Sequence, residues 1–300
     1  MKTKALYLVL GTAIISGISI FINKFAVTAI GNPFVLTTSK NIIVALLLTL
    51  VVLTPLVWKK LKVLPKNDWI KLILIGLIGG SIPFLLFFKG LSLSTSVNAG
   101  FIHKTLFIWV TLLAIPFLKE KLSKIQWLAL GVLLIGNYFL IGIKWSFAQA
   151  DILIMAATLF WAVEFVLAKH FLKTIDPKII AWGRMFFGAI FLLGYMFYIG
   201  QAATLLTLGA SQWGFVSLAA IFLLGYVLTW YHALAKLPVT VVASVLVIAS
   251  PITTGLNSIF ITHKYSLNQL IGSLIILASI VMISYAYNNL RQSEKTSETV

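Results

Sequence analysis

Ten apolar segments, each of about 20 residues, constrain this chain more than any other feature of its sequence. A helix rises about 1.5 Å per residue, so a segment of this length crosses a hydrocarbon core of about 30 Å. The segments, numbered one to ten in chain order, lie near residues 5–25, 34–57, 69–89, 96–117, 124–143, 151–171, 179–199, 212–235, 239–261 and 268–287. The sequence therefore predicts an all-α integral membrane protein with ten transmembrane helices.

Composition supports this class and excludes others. Of the 300 residues, 60% are hydrophobic and 10% are charged, whereas about a quarter of the residues in soluble domains are charged. The net charge of +16 does not predict a nucleic-acid partner. The Lys and Arg residues cluster between the apolar segments, where they orient helices in the lipid bilayer. The chain has no cysteine, which excludes disulfides and thiolate chemistry, and no metal or cofactor is predicted.

The distribution of basic residues predicts the orientation. Sixteen lie on the side of the N-terminus: Lys2, Lys4, Lys59, Lys60, Lys62, Lys66, Lys71, Lys119, Lys121, Lys124, Lys169, Lys173, Lys178, Lys236, Arg291 and Lys295. The opposite ends of the segments hold five, namely Lys24, Lys40, Lys89, Lys144 and Lys264. This asymmetry predicts a multi-pass protein of the inner (plasma) membrane with both termini cytoplasmic. The first apolar segment lacks a small-x-small cleavage site and is predicted to be a retained helix.

The two halves of the chain resemble each other. Equivalent positions are held by Lys24 and Lys169, by Asn32-Pro33 and Asp176-Pro177, and by Lys40 and Arg184, each seven residues after its proline. We therefore divide the chain into a first five-helix repeat at 1–146, a second repeat at 147–290 and a cytoplasmic tail at 291–300. Because five crossings is an odd number, the second repeat is predicted to be inverted, with a site at the midplane where the halves meet.

This pattern resembles the EamA-type members of the drug/metabolite transporter superfamily. Besides the repeat, the resemblance rests on Ser250-Pro251 in segment nine and on Glu120-x-Leu after segment four. It implies secondary transport of amino acids, other metabolites or drugs, usually as export, with segments five and ten at the periphery. His263 replaces an expected Glu, and His103-Lys104 has no charged counterpart in segment nine. The resemblance therefore does not give the substrate.

Segment four carries the first set of candidate binding residues. Lys104 lies about 12 Å along its helix, and a charge near the bilayer centre costs about 2.5–3.5 kcal/mol, so it should face a cavity or a partner. Phe107 shares its helical face, and Asn98 and His103 border that face. This set suits a carboxylate of a substrate. The alternative is that Lys104 is paired permanently with Glu164 or with backbone carbonyls.

Glu164 is the one carboxylate deep inside an apolar segment, on the same face as Trp161. It is the candidate to carry a coupling proton or to bind a substrate ammonium. The alternative, an ion pair with Lys104 or Arg184, is compatible with that role if the pair opens when substrate binds. For Lys40 and Arg184 we predict a structural role, either extending to the membrane boundary or capping neighbouring helix ends.

Aromatic residues and prolines complete the candidates. Tyr226 and Trp230 lie one turn apart on segment eight and could line a site, although aromatic residues near helix ends also serve as interface anchors. Pro83 and Pro251 interrupt segments three and nine and are candidate hinges, with helix packing as the alternative.

Other classes of function receive little support. No catalytic motif or nucleotide-binding loop is present, so an intramembrane enzyme is a distant alternative, and no filter loop of a channel is visible. The sequence predicts an alternating-access carrier, monomeric or weakly dimeric, that exports an amino acid or related metabolite. The nearer alternative is a drug or another metabolite, such as a nucleoside or nucleotide derivative or a compound similar to S-adenosylmethionine.

Overall fold

The computed structural model describes residues 2–141 and 148–298, and all regular structure in these ranges is helical. Its α-helices, in chain order, are α1 (Lys2–Ile30), α2 (Pro33–Val52), α3 (Pro55–Lys62), α4 (Lys66–Ile78), α5 (Ile82–Ser92), α6 (Ser96–Lys104), α7 (Leu106–Leu118), α8 (Lys124–Ile141), α9 (Gln149–Phe171), α10 (Pro177–Tyr198), α11 (Ala210–Lys236), α12 (Val239–Val245), α13 (Ala249–Asn257) and α14 (Leu267–Glu298). Short 3₁₀ turns at Ala202–Leu206 and Leu246–Ile248 and a π turn at Ser258–Thr262 complete the described structure.

The predicted fold class, an all-α protein with several membrane spans, is confirmed. Within the described ranges, nine helical spans are long and apolar enough to cross a bilayer. The apolar stretch of α8, Lys124–Leu140, is shorter than the nine. Ten crossings and an inverted repeat therefore stay predictions. Lys144 and the boundary between residues 146 and 147 lie outside the described residues.

Helices α2 and α10 begin in the same way. Each starts with a proline whose missing N–H costs nothing in the first turn. Asn32 caps α2 by accepting hydrogen bonds from the N–H groups of Phe34 and Val35, and Asp176 caps α10 by accepting one from the N–H of Lys178. The dipeptides Asn32-Pro33 and Asp176-Pro177 thus open segments two and seven, as the sequence predicts.

Several predicted segments are broken rather than continuous. Segment two ends at Val52, and Pro55 starts the separate short helix α3. Segment three divides at Gly79–Ser81, segment four at Thr105, and segment nine at the 3₁₀ turn Leu246–Ile248. The candidate hinges Pro83 and Pro251 each lie in the first turn after a break. Their movement remains a prediction.

The last helix is longer than the predicted segment ten. The sequence places the end of this segment near residue 287, but α14 continues to Glu298. The part of the predicted tail that the structure describes is therefore helical.

Helix packing follows a paired pattern between the two halves. The extensive contacts of α1 with α11 are matched by those of α9 with α5, and the contact of α1 with α13 is matched by that of α9 with α7. Helix α2 packs on α10. Helices α8 and α14 pack chiefly against each other, where Gly136 and Gly272 allow a close approach. This arrangement places the remaining helices around the interior.

Candidate functional site

A pocket of about 80 Å³ lies between the helices of both halves. Its wall is made of aromatic rings interrupted by hydroxyl, amide and cationic groups. The lining residues are Ser16, Ser19, Ile20, Asn23, Lys40, Phe84, Phe87, Phe88, His103, Trp161, Phe165, Arg184, Leu223 and Tyr226. The volume holds several water molecules, each of which needs at least about 10–15 Å³ by this measure.

A buried ion pair lies beside the pocket. Arg184 Nε is 3.0 Å from Glu164 Oε1, and both side chains are almost completely buried. The Tyr231 hydroxyl donates a hydrogen bond of 2.8 Å to the same carboxylate oxygen. Arg184 lines the pocket, so the pair connects the pocket to the interior of the bundle. Of the two ion pairs proposed for Glu164, the one with Arg184 is observed.

The carbonyl of Gly79 organises the residues around this pair. It accepts hydrogen bonds from Trp161 Nε1 at 3.1 Å and from Arg184 Nε and Nη2 at 3.2 and 3.1 Å. In a continuous helix this carbonyl would accept from the N–H four residues later, but that residue is Pro83, which has none. The proline therefore frees an acceptor that fixes Trp161 and Arg184.

The packing around Gly79 leaves no room for a side chain. A Cβ atom at this position would collide with the carboxyl group of Glu164. Among the described residues, Glu164 Oε2 and Arg184 Nη1 have no hydrogen-bond partner although both atoms are buried. The cluster thus contains one buried acceptor and one buried donor that no described residue satisfies.

Lys40 lies inside the bundle and not at its end. The side chain is buried and lines the pocket, with Nζ 3.5 Å from the centre of the Phe88 ring and 5.2 Å from that of Phe84. No described carboxylate forms an ion pair with it. The predicted extension to the membrane boundary is therefore not observed for Lys40 or for Arg184. The alternative, capping of a neighbouring helix end, is observed for Arg184, which donates to the carbonyl of Gly79 at the end of α4. Depth along a helix did not reveal the direction of either side chain.

His103 and Lys104 occupy different environments although they are adjacent. His103 lines the pocket with its ring against Trp161, 4.7 Å between ring centres. Lys104 is buried behind the wall and donates a hydrogen bond of 2.9 Å to Ser16 Oγ. The alternative of a Lys104–Glu164 pair is not observed, because Arg184 takes the carboxylate.

Two predicted binding residues lie outside the pocket. Helix α6 ends at Lys104 and α7 begins at Leu106, and this break removes Phe107 from the face it was predicted to share with Lys104. Phe107 instead lines a groove against Trp127 and Leu130 of α8. Asn98 donates a hydrogen bond of 2.8 Å to Asp151 Oδ1 near the start of α9. Neither residue is among those that line the central pocket.

The predicted aromatic residues of segment eight lie at the site. Tyr226 lines the pocket, and Trp230 is stacked behind it with 6.2 Å between ring centres. The Arg184 guanidinium carbon lies 5.3 Å from the centre of the Trp230 ring. Trp230 is fully buried, so an anchor at the membrane interface is excluded for it.

Sequence reasoning missed part of the wall. Ser16, Ser19 and Asn23 recur at helical spacing on one face of α1 and all line the pocket. Phe84 and Phe88, one turn apart on α5, do the same. Polar residues at a spacing of three and four within segment one were the signal that could have identified this face.

Lys24 and Lys169 make equivalent contacts at opposite ends of the bundle. Lys24 Nζ donates to the carbonyl of Leu91, 3.0 Å away at the end of α5. Lys169 Nζ donates to the carbonyls of Leu234 and Leu237, 2.8 and 2.7 Å away at the end of α11. Unpaired carbonyls at a helix C-terminus favour a cation, so both lysines stabilise helix ends. Within residues 2–141 and 148–298, no cluster of His, Asp and Glu could hold a metal ion.

The bundle of apolar helices around a polar and aromatic pocket places the chain in the class of multi-pass membrane transporters. The model of the EamA-like transporter family matches residues 3–142 and 148–285. The chain therefore belongs to the EamA-like transporter family, which confirms the resemblance identified in the sequence.

Similar proteins agree at this level. An uncharacterized transporter of Methanothermobacter thermautotrophicus is 28% identical over 142 residues, which are 45% of this chain and 41% of that protein. An uncharacterized transporter of Archaeoglobus fulgidus is 32% identical over 112 residues, 37% of this chain and 35% of that protein. The matches thus span less than half of these curated relatives. A solved crystal structure shares the fold, with a TM-score of 0.74 and 17% identity over 95% of this chain and 98% of the other.

Proposed function

We propose that this chain is a secondary carrier that moves a small organic solute, an amino acid or a related metabolite, out of the cell. The central pocket is its binding site, and the two halves expose it alternately to the two sides of the membrane. The membrane is the plasma membrane, with both termini in the cytoplasm, as the excess of basic residues on that side favours.

The observation that carries the proposal is the buried Glu164–Arg184 pair next to an aromatic pocket. Charges inside a membrane protein are costly, and they typically mark paths for substrates or ions. A substrate ammonium or a proton that reaches Glu164 can replace Arg184 as the partner of its carboxylate. Glu164 Oε2 is open to this contact, because it has no hydrogen-bond partner among the described residues. Opening of this pair is the step that couples solute binding to the change of exposure.

The aromatic wall supports a solute with a flat or apolar group. Phe84, Phe87, Trp161 and Tyr226 present ring faces and edges to the pocket. Such surfaces favour rings and aliphatic chains through burial and aromatic contacts. An amino acid with an aromatic or large aliphatic side chain meets this requirement.

Flux into proteoliposomes tests the proposal. The solutes are radiolabelled amino acids, amines and carboxylates, each measured with and without a pH gradient. Wild type should give saturable flux of at least one amino acid, and Glu164→Gln should abolish the coupled component because the neutral amide cannot exchange a proton. Asp68→Asn is the matched control, since it makes the same change of charge in a pair with Lys71, and neither residue lines the pocket.

Two outcomes contradict parts of the proposal. Saturable flux that is the same in Glu164→Gln and wild type removes Glu164 from the mechanism. Absence of flux for every solute in the panel, with folded protein in the vesicles, contradicts an amino acid as the substrate.

A further inference from the structure

Lys40 and Arg184 are matched in their packing as well as in sequence. Each lies seven residues after the proline that starts its helix. Each places its cation on an aromatic ring, Lys40 on Phe88 of α5 and Arg184 on Trp230 of α11. Both cations also line the pocket. Two buried cations therefore share the same kind of support.

The two positions differ in their counter-charge. Glu164, which neutralises Arg184, lies five residues before Lys169. The residue five before Lys24 is Ser19, which lines the pocket and accepts a hydrogen bond from Asn23 Nδ2. The half of the chain that holds Lys40 thus has a hydroxyl group where the other half has a carboxylate.

Lys40 is consequently a buried cation without a protein anion among the described residues. The nearest support is the Phe88 ring, and a ring face compensates a desolvated ammonium only in part. Arg184 is neutralised by Glu164, whereas Lys104, behind the wall of the same pocket, has no carboxylate partner among the described residues and adds positive potential. A pocket with this balance of charge favours a ligand that brings an anion.

We propose that Lys40 binds the carboxylate of the solute, and that the solute class is a carboxylate carrying an aromatic or other flat apolar group. The ammonium takes the carboxylate in the position that Glu164 occupies relative to Arg184, and the rings of Phe84, Phe87 and Trp161 contact the apolar group. This inference rests on the proposed function, since it concerns the same pocket. It assigns the anion to Lys40 on α2, where the sequence had favoured Lys104.

Direct binding to the purified full chain in detergent tests the inference without requiring transport. Isothermal titration compares phenylacetate with 2-phenylacetamide, a neutral compound of nearly the same shape, and with phenethylamine. Wild type should bind phenylacetate and should bind the other two at least about tenfold more weakly, the difference expected from one charge-assisted hydrogen bond.

Variants of Lys40 locate the anion. Lys40→Met should weaken phenylacetate binding by at least about tenfold, and Lys40→Arg should retain most of it because the charge is kept. Lys89→Met is the matched control, since this lysine lies at the end of α5 and does not line the pocket. The thermal unfolding midpoint of Lys40→Met should equal or exceed that of wild type, because the variant no longer buries an uncompensated charge.

Introducing a carboxylate at position 19, the equivalent of Glu164 in the first half, gives a second test. Ser19→Glu places a carboxylate where the other half has one, so it should pair with Lys40 and abolish phenylacetate binding. Ser19→Gln adds similar volume without charge and should leave a larger part of the binding. Equal loss in both variants would indicate crowding of the pocket and would overturn the role of charge.

The remaining outcomes separate this inference from the proposed function. Phenylacetate binding that is absent in wild type, equal in Lys40→Met, or matched by 2-phenylacetamide overturns the inference. Saturable flux of neutral or cationic solutes that Lys40→Met leaves unchanged also overturns it, although the chain would still be a carrier. Lys40-dependent binding without any flux supports the inference and contradicts the carrier.

Discussion

Charged residues in this protein fall into groups with different partners. Glu164 and Arg184 compensate each other inside the bundle, with Tyr231 as a third partner. Asp176, between α9 and α10, is instead partly exposed and pairs with Lys60 across 2.6 Å. Removal of one partner from a buried pair leaves a charge without compensation, whereas an exposed pair contributes little. The same change of charge therefore has different consequences at the two places.

Acid should weaken the structure through Asp176. Burial alone would raise its pKa, but the hydrogen bond from Lys60, the N–H of Lys178 and the Lys60 charge together lower the pKa below the ordinary value of 3.8. A lowered pKa in the folded protein stabilises it above pH 3.8, and this contribution disappears as the pH falls through the folded pKa. The unfolding midpoint of wild type should exceed that of Asp176→Asn at neutral pH, and the gap should close in acid.

The comparison needs unfolding curves in detergent at several pH values between neutral and about 3, since the pair titrates at the acidic end of this range. Asn keeps the helix cap, so the variant isolates the charge. Lys60→Met should reproduce the gap, and Lys59→Met, on the same short helix, is its control. A gap that is independent of pH would contradict the assignment to Asp176.

The role of a single residue could be predicted from the sequence where its type is unusual for the segment that contains it. Glu164 is a lone acid deep in an apolar segment, and it lies beside the pocket against Gly79, whose carbonyl also binds Trp161. Its partner was not predictable, because the choice between Lys104 and Arg184 depends on how α6 and α10 are rotated. The direction of Lys40 was not predictable for the same reason: its distance from the helix start suggests the boundary, while its side chain lines the pocket.

At the scale of helices, α8 and α14 form a pair held by close backbone contact. A Cβ atom on Gly272 would meet the backbone of Leu140 and Gly136. The pair packs mainly on itself, so a change there should affect stability more than the pocket. Helix order and most helix starts could be predicted from apolar length and proline. The break at Thr105 could not, because neither glycine nor proline marks it.

Gly272→Ala should separate α8 from α14 and lower the free energy of unfolding by about 1–3 kcal/mol, the usual cost of overpacking. Gly131→Ala, on α8 but with open space around it, is the matched control and should be neutral or slightly stabilising. Thermal unfolding in detergent measures both. If the two variants unfold at the same temperature, the two backbones are not in contact in the protein.

At the scale of the molecule, equivalent contacts occur at both ends of the bundle. Lys24 and Lys169 bind the last carbonyls of α5 and α11 respectively. The lining residues on α1, from Ser16 to Asn23, extend from the interior towards the Lys24 end. The interior beyond them is filled by Trp230, Tyr231 and the ion pair. The pocket in this conformation therefore extends from the interior towards the Lys24 end of the bundle.

If the pocket is exposed to the two sides of the membrane in turn, only one end of the bundle should be accessible in each conformation. The chain has no cysteine, so single cysteines can be introduced without background. Asn23→Cys, at the pocket, should react with a charged methanethiosulfonate reagent in this conformation, whereas Thr12→Cys, which is fully buried on α1 against Thr229, should be protected. A transported solute supplied on the opposite side should lower the first rate and raise the second. Parallel changes in both rates would contradict a single alternating pocket.

The acceptor that organises the site is a main-chain carbonyl, and this has a consequence for mutational scans. Gly79 O holds Trp161 and Arg184, yet every substitution at position 79 retains that oxygen and adds a collision with Glu164. A mutational scan would therefore show that Gly79 tolerates no larger side chain. It would not reveal that the carbonyl oxygen of Gly79 positions Trp161 and Arg184. Replacing the amide bond between Gly79 and Gly80 by an ester weakens the carbonyl itself without adding a side chain, and it also removes the Gly80 N–H that donates to the carbonyl of Gly76.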